Sequence, residues 1–370
     1  MKKILFLIHD LGQGGAEKVL VNLVNNMDTM KFDITVMTLF DIGVNRQFLN
    51  ANIKYKSVFS KVFPANSHIM KLMKPAVLHK IFIKEHYDIE VAYLEGPCSR
   101  IISGCPCEDT KLVSWIHIEQ KTKKRAAASF RNLTEAIQCY NKFDQIVCVS
   151  ETVKRDFLMI FPVSVPVDVY YNTNESSKIV SASEEKIEDI DFSQTEFKMV
   201  GVGKLLRSKG FDRLLQIVKK FVDNGYPVHL YILGIGPEEG NMRRYIIENK
   251  LEKNIDLLGY QVNPYKYMKK CDLFVCASHA EGFSTAATEA LIVGLPVCTV
   301  EVSGMREMLG VHNEFGIVTD NDDKALYQAI KELIDNPEML ELYKNRAKDR
   351  GKTFNMENTV VAIEKMFLNL

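Results

Sequence analysis

The sequence lacks any apolar run long enough to span a membrane as a helix. Its first apolar stretch, Ile4 to Ile8, ends at His9 and Asp10, so it is too short for the hydrophobic part of a signal peptide. A short run of this kind is typical of a buried strand in a parallel sheet. We therefore expect a cytoplasmic protein with neither an export leader nor a spanning helix.

Cysteine pairs with the spacing of a structural zinc site are also missing. The eight cysteines are scattered, and no two of them form a Cys-x2-Cys pair. The single cluster is Cys105-Pro-Cys107, with Cys98 nearby. Buried thiols or thiols without a function are a simpler interpretation of this cluster than a zinc site. The pattern predicts reduced cysteines, as in a cytosolic protein.

The chain has no net charge, because 47 Lys and Arg balance 47 Asp and Glu. A chain without a basic excess is a poor candidate for a general nucleic-acid binder. The first 175 residues nevertheless carry 22 Lys and Arg against 18 Asp and Glu. The first half is therefore the one that we expect to face an acidic surface.

What the sequence does contain is an alternation of short apolar strands and amphipathic helices, which predicts doubly wound parallel sheets. In the first half the predicted strands are 3–8, 33–39, 89–93, 110–116 and 145–149. A polar, acidic segment without glycine then indicates a linker, and the alternation resumes at Phe197. The prediction is an α/β chain with Rossmann-like domains at 1–172 and 196–355, a linker at 173–195 and a terminal helix at 356–370.

The most informative segment covers residues 278–291. It places Glu281 in the loop after a predicted strand, and Glu289 on the following helix, which Ser284 or Thr285 would cap. The first N–H groups of such a helix can bind an anion, and the second glutamate can accept hydrogen bonds from ribose hydroxyls. This is the outline of a nucleotide-sugar site. The alternative is an ordinary strand, turn and helix whose glutamates face solvent.

This segment resembles the Glu-x7-Glu motif of the retaining family-4 glycosyltransferases, which have the GT-B fold. The match includes residues around the two glutamates, namely Ser278, Gly282, Phe283, Ser284, Ala290, Leu291, Gly294 and Pro296. The resemblance implies two Rossmann-like domains that face a central cleft, with the acceptor on the first and the nucleotide sugar on the second. It also implies that the terminal helix crosses back onto the first domain.

Two lysines, Lys204 and Lys209, follow the first strand of the second domain. The family usually has arginine at the first position and lysine at the second, so the resemblance implies that both contact the donor diphosphate. Lysine keeps the charge at the first position but loses the planar fork of arginine. Solvated surface lysines are the alternative. The glycines of Leu233-Gly-Ile-Gly236-Pro, at the next strand end, are expected to shape the backbone.

Two loops of the first domain add candidates. Gly14 and Gly15 open a helix after the first strand and match the family's amino-terminal loop, which implies contact with a phosphate or the substrate sugar. A plain tight turn is the alternative. His117 ends a strand where the family often has a histidine near the donor hexose, and a structural histidine is the alternative. Glu95 is a weaker candidate for acceptor contact.

Together with the resemblance, these residues predict transfer of a sugar from a nucleoside-diphosphate sugar to a hydroxyl, with retention of configuration. The resemblance implies that Glu289 binds the ribose and that Glu281 and His117 bind the transferred sugar. It also implies that the N–H groups of residues 284–286 bind the distal phosphate. The implied catalytic pair is His117 and Glu281. The implied donor-binding set is Gly14, Gly15, Lys204, Lys209, Gly282, Phe283, Ser284, Thr285 and Glu289.

The wider context is an analogy with the family. Small members commonly build bacterial capsule, exopolysaccharide or lipopolysaccharide on a lipid carrier, so a glycan or lipid-linked glycan is the expected acceptor. Two rival functions stay open: a GT-B nucleotide-sugar epimerase, and a non-catalytic subunit that binds the nucleotide sugar.

A membrane surface is a further expected partner. Residues 68–84 mix lysines with large apolar groups around Pro75, and residues 121–125 form a basic run. The pattern predicts reversible docking on anionic lipid at the inner face of the cell membrane. A core-facing helix with a solvated lysine face is the alternative.

No metal or other cofactor is expected. Two Asp-x-Asp pairs occur, Asp189-Ile-Asp191 and Asp320-Asn-Asp322, of the kind that holds Mg²⁺ in another glycosyltransferase fold. The first lies in the predicted linker, and the second precedes a predicted helix, where acids favour the N-terminus. We expect the lysines and a helix N-terminus to neutralise the diphosphate instead.

Overall fold

The computed structural model describes residues 1–63, 66–190, 192 and 196–370. The chain divides into two compact units, the first formed by residues 1–173 and 356–370 and the second by residues 174–355. Each unit contains one parallel sheet with helices between the strands, so the α/β class and the two doubly wound domains predicted from the sequence are confirmed.

The sheet of the first unit has seven described strands. They are β1 (Lys2–Ile8), β2 (Phe32–Phe40), β3 (Lys54–Phe59), β4 (Ile89–Ala92), β5 (Lys111–Ile116), β6 (Gln145–Cys148) and β7 (Val167–Val169). Their order across the sheet is β3-β2-β1-β4-β5-β6-β7. Ile4 of the central strand pairs with Ile34 on one side and Ile89 on the other. This central strand is buried from Ile4 to Ile8, which is why it has no polar alternation.

The sheet of the second unit has six described strands. They are β8 (Phe197–Val202), β9 (Val228–Leu233), β10 (Ile255–Gly259), β11 (Leu273–Cys276), β12 (Val297–Val300) and β13 (Ile317–Thr319). Their order is β10-β9-β8-β11-β12-β13, so the order reverses at β8 and β11. Ligands of such sheets bind beyond the carboxyl ends of the strands at this switch point. The loops after β8 and β11 are therefore where a donor site is expected.

Helices connect the strands in both units. In the first unit they are α1 (Gly15–Asn26), α2 (Asn66–Leu72), α3 (Pro75–Phe82), α4 (Pro97–Ile102), α5 (Lys123–Ala126), α6 (Leu133–Tyr140) and α7 (Glu151–Ile160). In the second unit they are α8 (Ser176–Ser183), α9 (Phe211–Asp223), α10 (Glu239–Glu248), α11 (Tyr265–Met268), α12 (Thr285–Ile292), α13 (Met305–Leu309), α14 (Asp323–Asp335) and α15 (Pro337–Gly351). None of the helices within the described ranges combines the length and the hydropathy that crossing a bilayer requires.

The last helix, α16 (Met356–Asn369), is part of the first unit. The ring of Phe367 packs edge-on against Phe6 of β1, with ring centroids 5.8 Å apart, and also contacts Phe32 and Trp115. Glu364 accepts the N–H of Asp28 at 2.6 Å. The helix thus closes the core that the first 173 residues begin.

The predicted linker at 173–195 needs a correction. Residues 176–183 form helix α8, which belongs to the second unit and packs against α11 and α12. Ile179 is buried there, and the side-chain amide of Asn263 donates to the carbonyl of Ala182 at 2.8 Å. Burial of Ile179 and the hydrogen bond from Asn263 attach the acidic segment to the second unit. The polar composition of the segment does not predict this attachment. Residues 191 and 193–195 of the predicted linker lie outside the described residues.

Candidate active site

The loop after β11 leads into α12, and both carry residues of the Glu-x7-Glu segment. Ser284 caps α12, because its Oγ accepts the N–H of Ala287 at 3.4 Å, and Thr285 is the first residue of the helix. Gly282 and Phe283 are buried. Thr285 and Ala286 are half-buried, so the first N–H groups of α12 lie at a partly open helix N-terminus. Such an end favours an anion.

Glu281 is buried and accepts hydrogen bonds through one carboxylate oxygen. Its Oε1 lies 2.6 Å from Nζ of Lys209 and 2.7 Å from Oγ of Ser278, which donates to it. The thiol of Cys276 approaches the same oxygen at 4.0 Å. Burial lowers the pKa of Lys209, but the charge of Glu281 and its hydrogen bond outweigh burial, so the pKa lies above its ordinary value. Lys209 therefore stays protonated at neutral pH.

Backbone contacts position the loop that carries Lys209. The N–H of His279 donates to the carbonyl of Ser208 at 2.8 Å, so the loops after β8 and β11 are tied together. Gly210 has a φ of +64°, and a Cβ there would lie 2.0 Å from the carbonyl oxygen of Ala277. Only glycine permits this close approach.

Lys204 follows β8 in a second tight loop and is half-buried. The N–H of Gly203 donates to the carbonyl of Leu233 at 3.0 Å, and the N–H of Leu205 donates to the carbonyl of Ile235 at 3.0 Å. A Cβ on Gly234 would lie 1.9 Å from the carbonyl oxygen of Gly203. The glycines of the Leu233-Gly-Ile-Gly-Pro segment therefore let two backbones touch, as the sequence predicts.

Glu289 lies on α12, eight residues after Glu281, and is buried. The hydroxyl of Tyr265, on α11, donates to its Oε1 at 3.2 Å. A buried carboxylate with a hydroxyl partner retains capacity to accept further hydrogen bonds, because each carboxylate has about four acceptor sites.

In the first unit, His117 follows β5 and Glu95 follows β4. The carboxylate of Glu95 accepts the N–H of His117 at 2.9 Å, and the imidazole packs against Tyr93 with ring centroids 4.8 Å apart. Burial lowers the pKa of His117 to about 3, and a hydrogen bond to the Tyr93 backbone opposes burial only partly. Burial also raises the pKa of Glu95, which the hydrogen bond from His117 opposes. Among the described residues, Nε2 of His117 is buried without a hydrogen-bond partner.

The glycine-rich loop of the first unit is shaped by polar side chains. Gly14 caps α1 through backbone alone, and a Cβ there would lie 2.0 Å from the carboxylate of Glu17. The N–H of Gly12 donates to Asp10 at 2.7 Å, and the side chain of Asn45 donates to the carbonyl of Gly12. Gly15 is the first residue of α1. Because the Glu17 side chain can move aside, space alone does not require glycine at Gly14.

One aspartate of each Asp-x-Asp pair already has a hydrogen-bond partner within the protein. Asp322 caps α14 by accepting the N–H groups of Lys324 and Ala325, each at 2.9 Å. Next to it, Asp323 accepts from the buried Arg213 at 2.6 Å. Asp189 accepts the hydroxyl of Tyr267 at 2.5 Å, and Asp191 lies outside the described residues.

The cysteine cluster differs from the sequence interpretation. Among the described residues, the one group of three potential metal ligands is His79, Glu90 and Cys105, and neither Cys98 nor Cys107 belongs to it. Nε2 of His79 lies 2.8 Å from the carboxylate of Glu90, and both residues are buried. A hydrogen-bonded ion pair accounts for this contact without a metal ion.

The structure thus brings Lys209 and Glu281 into contact and places Lys204, Ser284 and Glu289 in the same unit. Gly14, Gly15 and His117 belong to the other unit. Sequence reasoning includes Ser278 in the motif but misses its hydrogen bond to Glu281, and it misses Tyr265 and Asp10 as partners. Ser278 lies in the matched segment, and an Asp-x-Gly spacing predicts the turn at Asp10. Tyr265 comes from a separate helix, and no local pattern indicates it.

Comparison with known proteins gives two family matches and full-length relatives. Residues 13–173 match "Glycosyltransferase Family 4", and residues 182–350 match "Glycosyl transferases group 1". A Campylobacter jejuni protein is 28% identical over 369 residues, which cover 96% of each chain. It is described as N-acetylgalactosamine-N,N'-diacetylbacillosaminyl-diphospho-undecaprenol 4-alpha-N-acetylgalactosaminyltransferase. The capsular polysaccharide biosynthesis glycosyltransferase CapM of Staphylococcus aureus is 27% identical over 154 residues, or 40% of each chain.

Solved structures resemble the whole chain. Anabaena Alr3699/HepE, in complex with UDP and glucose, has a TM-score of 0.80 and 18% identity over 100% of both chains. A mutant of S. aureus TarM, in complex with fondaparinux, alpha-GlcNAc-glycerol and UDP, has a TM-score of 0.78 and 16% identity, covering 99% of this chain and 100% of that one. At these identities the likeness concerns the fold.

Proposed function

Because the chain belongs to the family-4, group 1 glycosyltransferases of the GT-B fold, we propose that it transfers a sugar from a nucleoside-diphosphate sugar to a hydroxyl, with retention of configuration. It is a glycosyltransferase related to enzymes of bacterial polysaccharide, lipopolysaccharide and capsule biosynthesis. The UDP complexes of the structural neighbours support a nucleotide-sugar donor. The observation that carries the proposal is the ion pair of Lys209 and Glu281 in the loops at the switch point of the second sheet.

In our proposal the second unit binds the donor. Glu289 accepts from the ribose hydroxyls, and the open N–H groups at the start of α12 bind the distal phosphate. Lys204 and Lys209 stabilise the charge that develops on the leaving diphosphate. Gly282 and Phe283 are buried in the loop that leads into this helix, where they shape the donor site, and Glu281 contacts the transferred sugar.

The first unit supplies contacts to the sugars. His117 stays neutral down to a pH of about 3, so its unpartnered Nε2 is suited to a neutral hydrogen bond with a sugar hydroxyl. Glu95 holds the backbone of His117 and thereby positions the imidazole. The loop of Gly14 and Gly15 leaves backbone room for the transferred sugar or a phosphate.

In this proposal the acceptor hydroxyl attacks the anomeric carbon from the same face that the leaving phosphate occupies, so the anomeric configuration is retained. The bond between the anomeric carbon and the phosphate oxygen breaks, the acceptor oxygen bonds to that carbon, and the acceptor proton passes to the leaving phosphate. Lys209 and Ser278 engage Oε1 of Glu281, which supports a role in binding the transferred sugar for this carboxylate.

We further propose that no divalent metal is needed. The cations and the helix N-terminus supply the positive potential at the diphosphate, and Asp322 is occupied in capping α14. Activity should survive EDTA. Complete loss in EDTA, restored by Mn²⁺ and abolished by Asp322→Asn, would overturn this part of the proposal.

The proposed acceptor is a glycan carried on a lipid, because the C. jejuni relative is named for an acceptor on diphospho-undecaprenol. We place this acceptor at the inner face of the membrane. Helices α2 and α3 expose Ile69, Leu72, Val77 and Ile81 beside lysines, which supports peripheral contact with anionic lipid. Sedimentation with vesicles tests this contact. Equal binding to anionic and neutral vesicles would argue against it.

The decisive test is incubation with a panel of labelled nucleotide sugars, with and without lipid-linked acceptors. Transfer of label to an acceptor supports the proposal, whereas an epimerised nucleotide sugar would identify an epimerase. Binding of a nucleotide sugar without any product, under conditions in which a related transferase is active, would identify a non-catalytic subunit. The anomeric configuration of a transferred product, read by NMR, decides between retention and inversion.

A further inference from the structure

A histidine and an aspartate follow the central strand of the first sheet. The strands of this sheet have the order β3-β2-β1-β4-β5-β6-β7, so the chain order reverses between β1 and β4. Ligands of doubly wound sheets bind beyond the carboxyl ends of the strands at such a point. His9 and Asp10 come directly after β1, and Glu95 comes shortly after β4. These side chains are therefore carried by the loops in which a ligand of the first unit is expected.

His9 and Asp10 form a hydrogen-bonded dyad. Nδ1 of His9 lies 2.7 Å from Oδ2 of Asp10. An ionised carboxylate accepts hydrogen bonds and donates none, so Nδ1 carries the proton and donates to Asp10. In the neutral imidazole the second nitrogen, Nε2, is then an acceptor. The aspartate thus determines which kind of group the imidazole can bind.

The neighbouring strand and the turn after β1 hold the dyad in place. The ring of His9 packs against that of Phe40, with centroids 5.0 Å apart, and the carbonyl of His9 accepts the N–H of Phe40 at 3.0 Å. Oδ1 of Asp10 accepts the N–H of Gly12 at 2.7 Å. The orientation of both side chains is therefore set before a ligand binds, which lowers the entropic cost of binding.

The dyad is only partly buried. The side chain of His9 is 39% exposed, and that of Asp10 is 19% exposed. A pair at this exposure adds little to stability, because water competes for both partners. By contrast, His79 and Glu90 of the same unit are almost fully buried, as expected of a pair that supports the fold. The exposure of the first dyad fits a binding role better than a structural one.

Two carboxylates act on one side chain next to the dyad. Burial raises the pKa of the Cys98 thiol, and the charges of Glu95 and Asp10 add to this effect. Both carboxylates therefore lie within electrostatic range of Cys98. Carboxylates repel phosphates and accept hydrogen bonds from hydroxyls, and the imidazole nitrogen adds a third acceptor. This group of residues fits an uncharged ligand with several hydroxyls.

We propose that Nε2 of His9, oriented by Asp10, accepts a hydrogen bond from a hydroxyl of the acceptor sugar. The inference rests on the proposed function and makes His9 a specificity-determining residue on the acceptor side. In the proposed mechanism the attacking hydroxyl gives its proton to the leaving phosphate, so His9 binds a different hydroxyl of the same sugar. A sugar in which that second hydroxyl is missing or blocked is therefore a poor acceptor.

NMR of the protein labelled with [15N]histidine tests the dyad without a ligand. At pH 8, above the ordinary pKa of histidine, we expect the ring proton of His9 on Nδ1. His9→Phe identifies the His9 resonances by their loss. Asp10→Asn should move the proton to Nε2, because the amide group of asparagine donates to Nδ1. A wild-type His9 ring with its proton on Nε2 would overturn the proposal.

Titration with simple glycosides tests the ligand. The probes are the methyl α-glycosides of glucose, galactose, N-acetylglucosamine and N-acetylgalactosamine, each paired with its fully O-methylated ether. We expect at least one glycoside to shift the Nε2 resonance of His9. Its ether has no hydroxyl proton and should leave this resonance unchanged. In Asp10→Asn the Nε2 atom becomes a donor, so this discrimination between glycoside and ether should disappear.

His9→Phe should weaken binding of that glycoside roughly three- to tenfold, as expected for the loss of one hydrogen bond. In the transfer assay it should raise the KM for the acceptor by a similar factor and leave the KM for the nucleotide sugar unchanged. His86→Phe is the matched control, because His86 is an exposed histidine of the same unit, and it should behave as the wild type does.

Three results would overturn the inference: equal effects of the two phenylalanine variants, equal shifts by a glycoside and its ether, or no shift with any of the four glycosides. The nucleotide-sugar panel is independent of these measurements. Transfer in the panel without a shift at His9 would refute this inference alone. A shift at His9 without transfer would refute the proposed function and leave a dyad that binds sugars.

Discussion

The imidazole of His79 is buried against Glu90, and its protonation is linked to the stability of the first unit. Burial lowers its pKa, but hydrogen bonds to Cys105 and Glu90 and their charges outweigh burial and raise the pKa to about 9. An unfolded histidine titrates near 6.5. The folded state thus binds the proton more tightly than the unfolded chain does, and this difference stabilises the folded state below pH 6.5.

We therefore predict that the free energy of unfolding falls as the pH rises from about 6.5 to about 9, by on the order of 3 kcal/mol at most. Urea denaturation at pH 6, 7.5 and 9 measures this change. His79→Gln should be less stable at pH 6 and should have a flatter pH profile. A wild-type profile with the same slope as the variant would contradict the assignment.

The two glutamates of the Glu-x7-Glu segment should have separable roles. We predict that Glu289→Ala weakens both nucleotide binding and turnover, because it removes a proposed ribose contact. Glu281→Ala should chiefly lower turnover, because the proposal places it beside the transferred sugar. Calorimetry with the free nucleoside diphosphate decides between them. Unchanged affinity in the Glu289 variant would exclude the ribose assignment.

Among the elements of the second unit, the loops after β8 and β9 depend on each other. Gly203 and Gly234 meet backbone to backbone, and the same contact fixes the chain just before Lys204. We predict that Gly234→Ala destabilises the unit by about 2 kcal/mol or more, because its φ of +148° and a contact of 1.9 Å both disfavour a Cβ. It should also lower donor affinity by displacing Lys204.

Gly240→Ala is the matched control. Gly240 lies in α10, where an added Cβ would meet no other atom within 4 Å, and the substitution should raise helix propensity slightly. Thermal unfolding and nucleotide titration of both variants make the comparison. Equal stability and equal nucleotide affinity of the two variants would show that the contact between Gly203 and Gly234 contributes to neither property.

The sequence predicts most central elements of both sheets, because buried parallel strands are continuous apolar runs. It misses β3 and β7, since the first alternates lysines with apolar residues at a sheet edge and the second has only three residues. It predicts the loops that carry the donor candidates, because the Glu-x7-Glu motif is local. It does not predict that Tyr265 contacts Glu289 or that Arg213 holds Asp323, since these contacts join distant parts of the chain.

At the scale of the molecule, the first unit is completed by residues 356–370. Phe367 is fully buried against Phe6, Phe32 and Trp115. We predict that Phe367→Ala destabilises the first unit by about 3–5 kcal/mol. Leu368→Ala, at a neighbouring and exposed position, should have little effect. The fluorescence of Trp115, the only tryptophan, reports unfolding of the first unit selectively. Equal stability of the two variants would contradict the packing described for α16.

The placement of α16 also determines which unit can finish folding first during synthesis of the chain. Residues 174–355 are contiguous, so the whole second unit leaves the ribosome before residues 356–370 do. The core of the first unit is complete only when residues 356–370 have also been synthesised. Domains of most multidomain chains fold from the N-terminus onward during synthesis. In this protein the later half can reach its native state while the earlier half is still incomplete. A nascent chain stalled before α16 should therefore engage chaperones through its amino-terminal sheet rather than through the second unit.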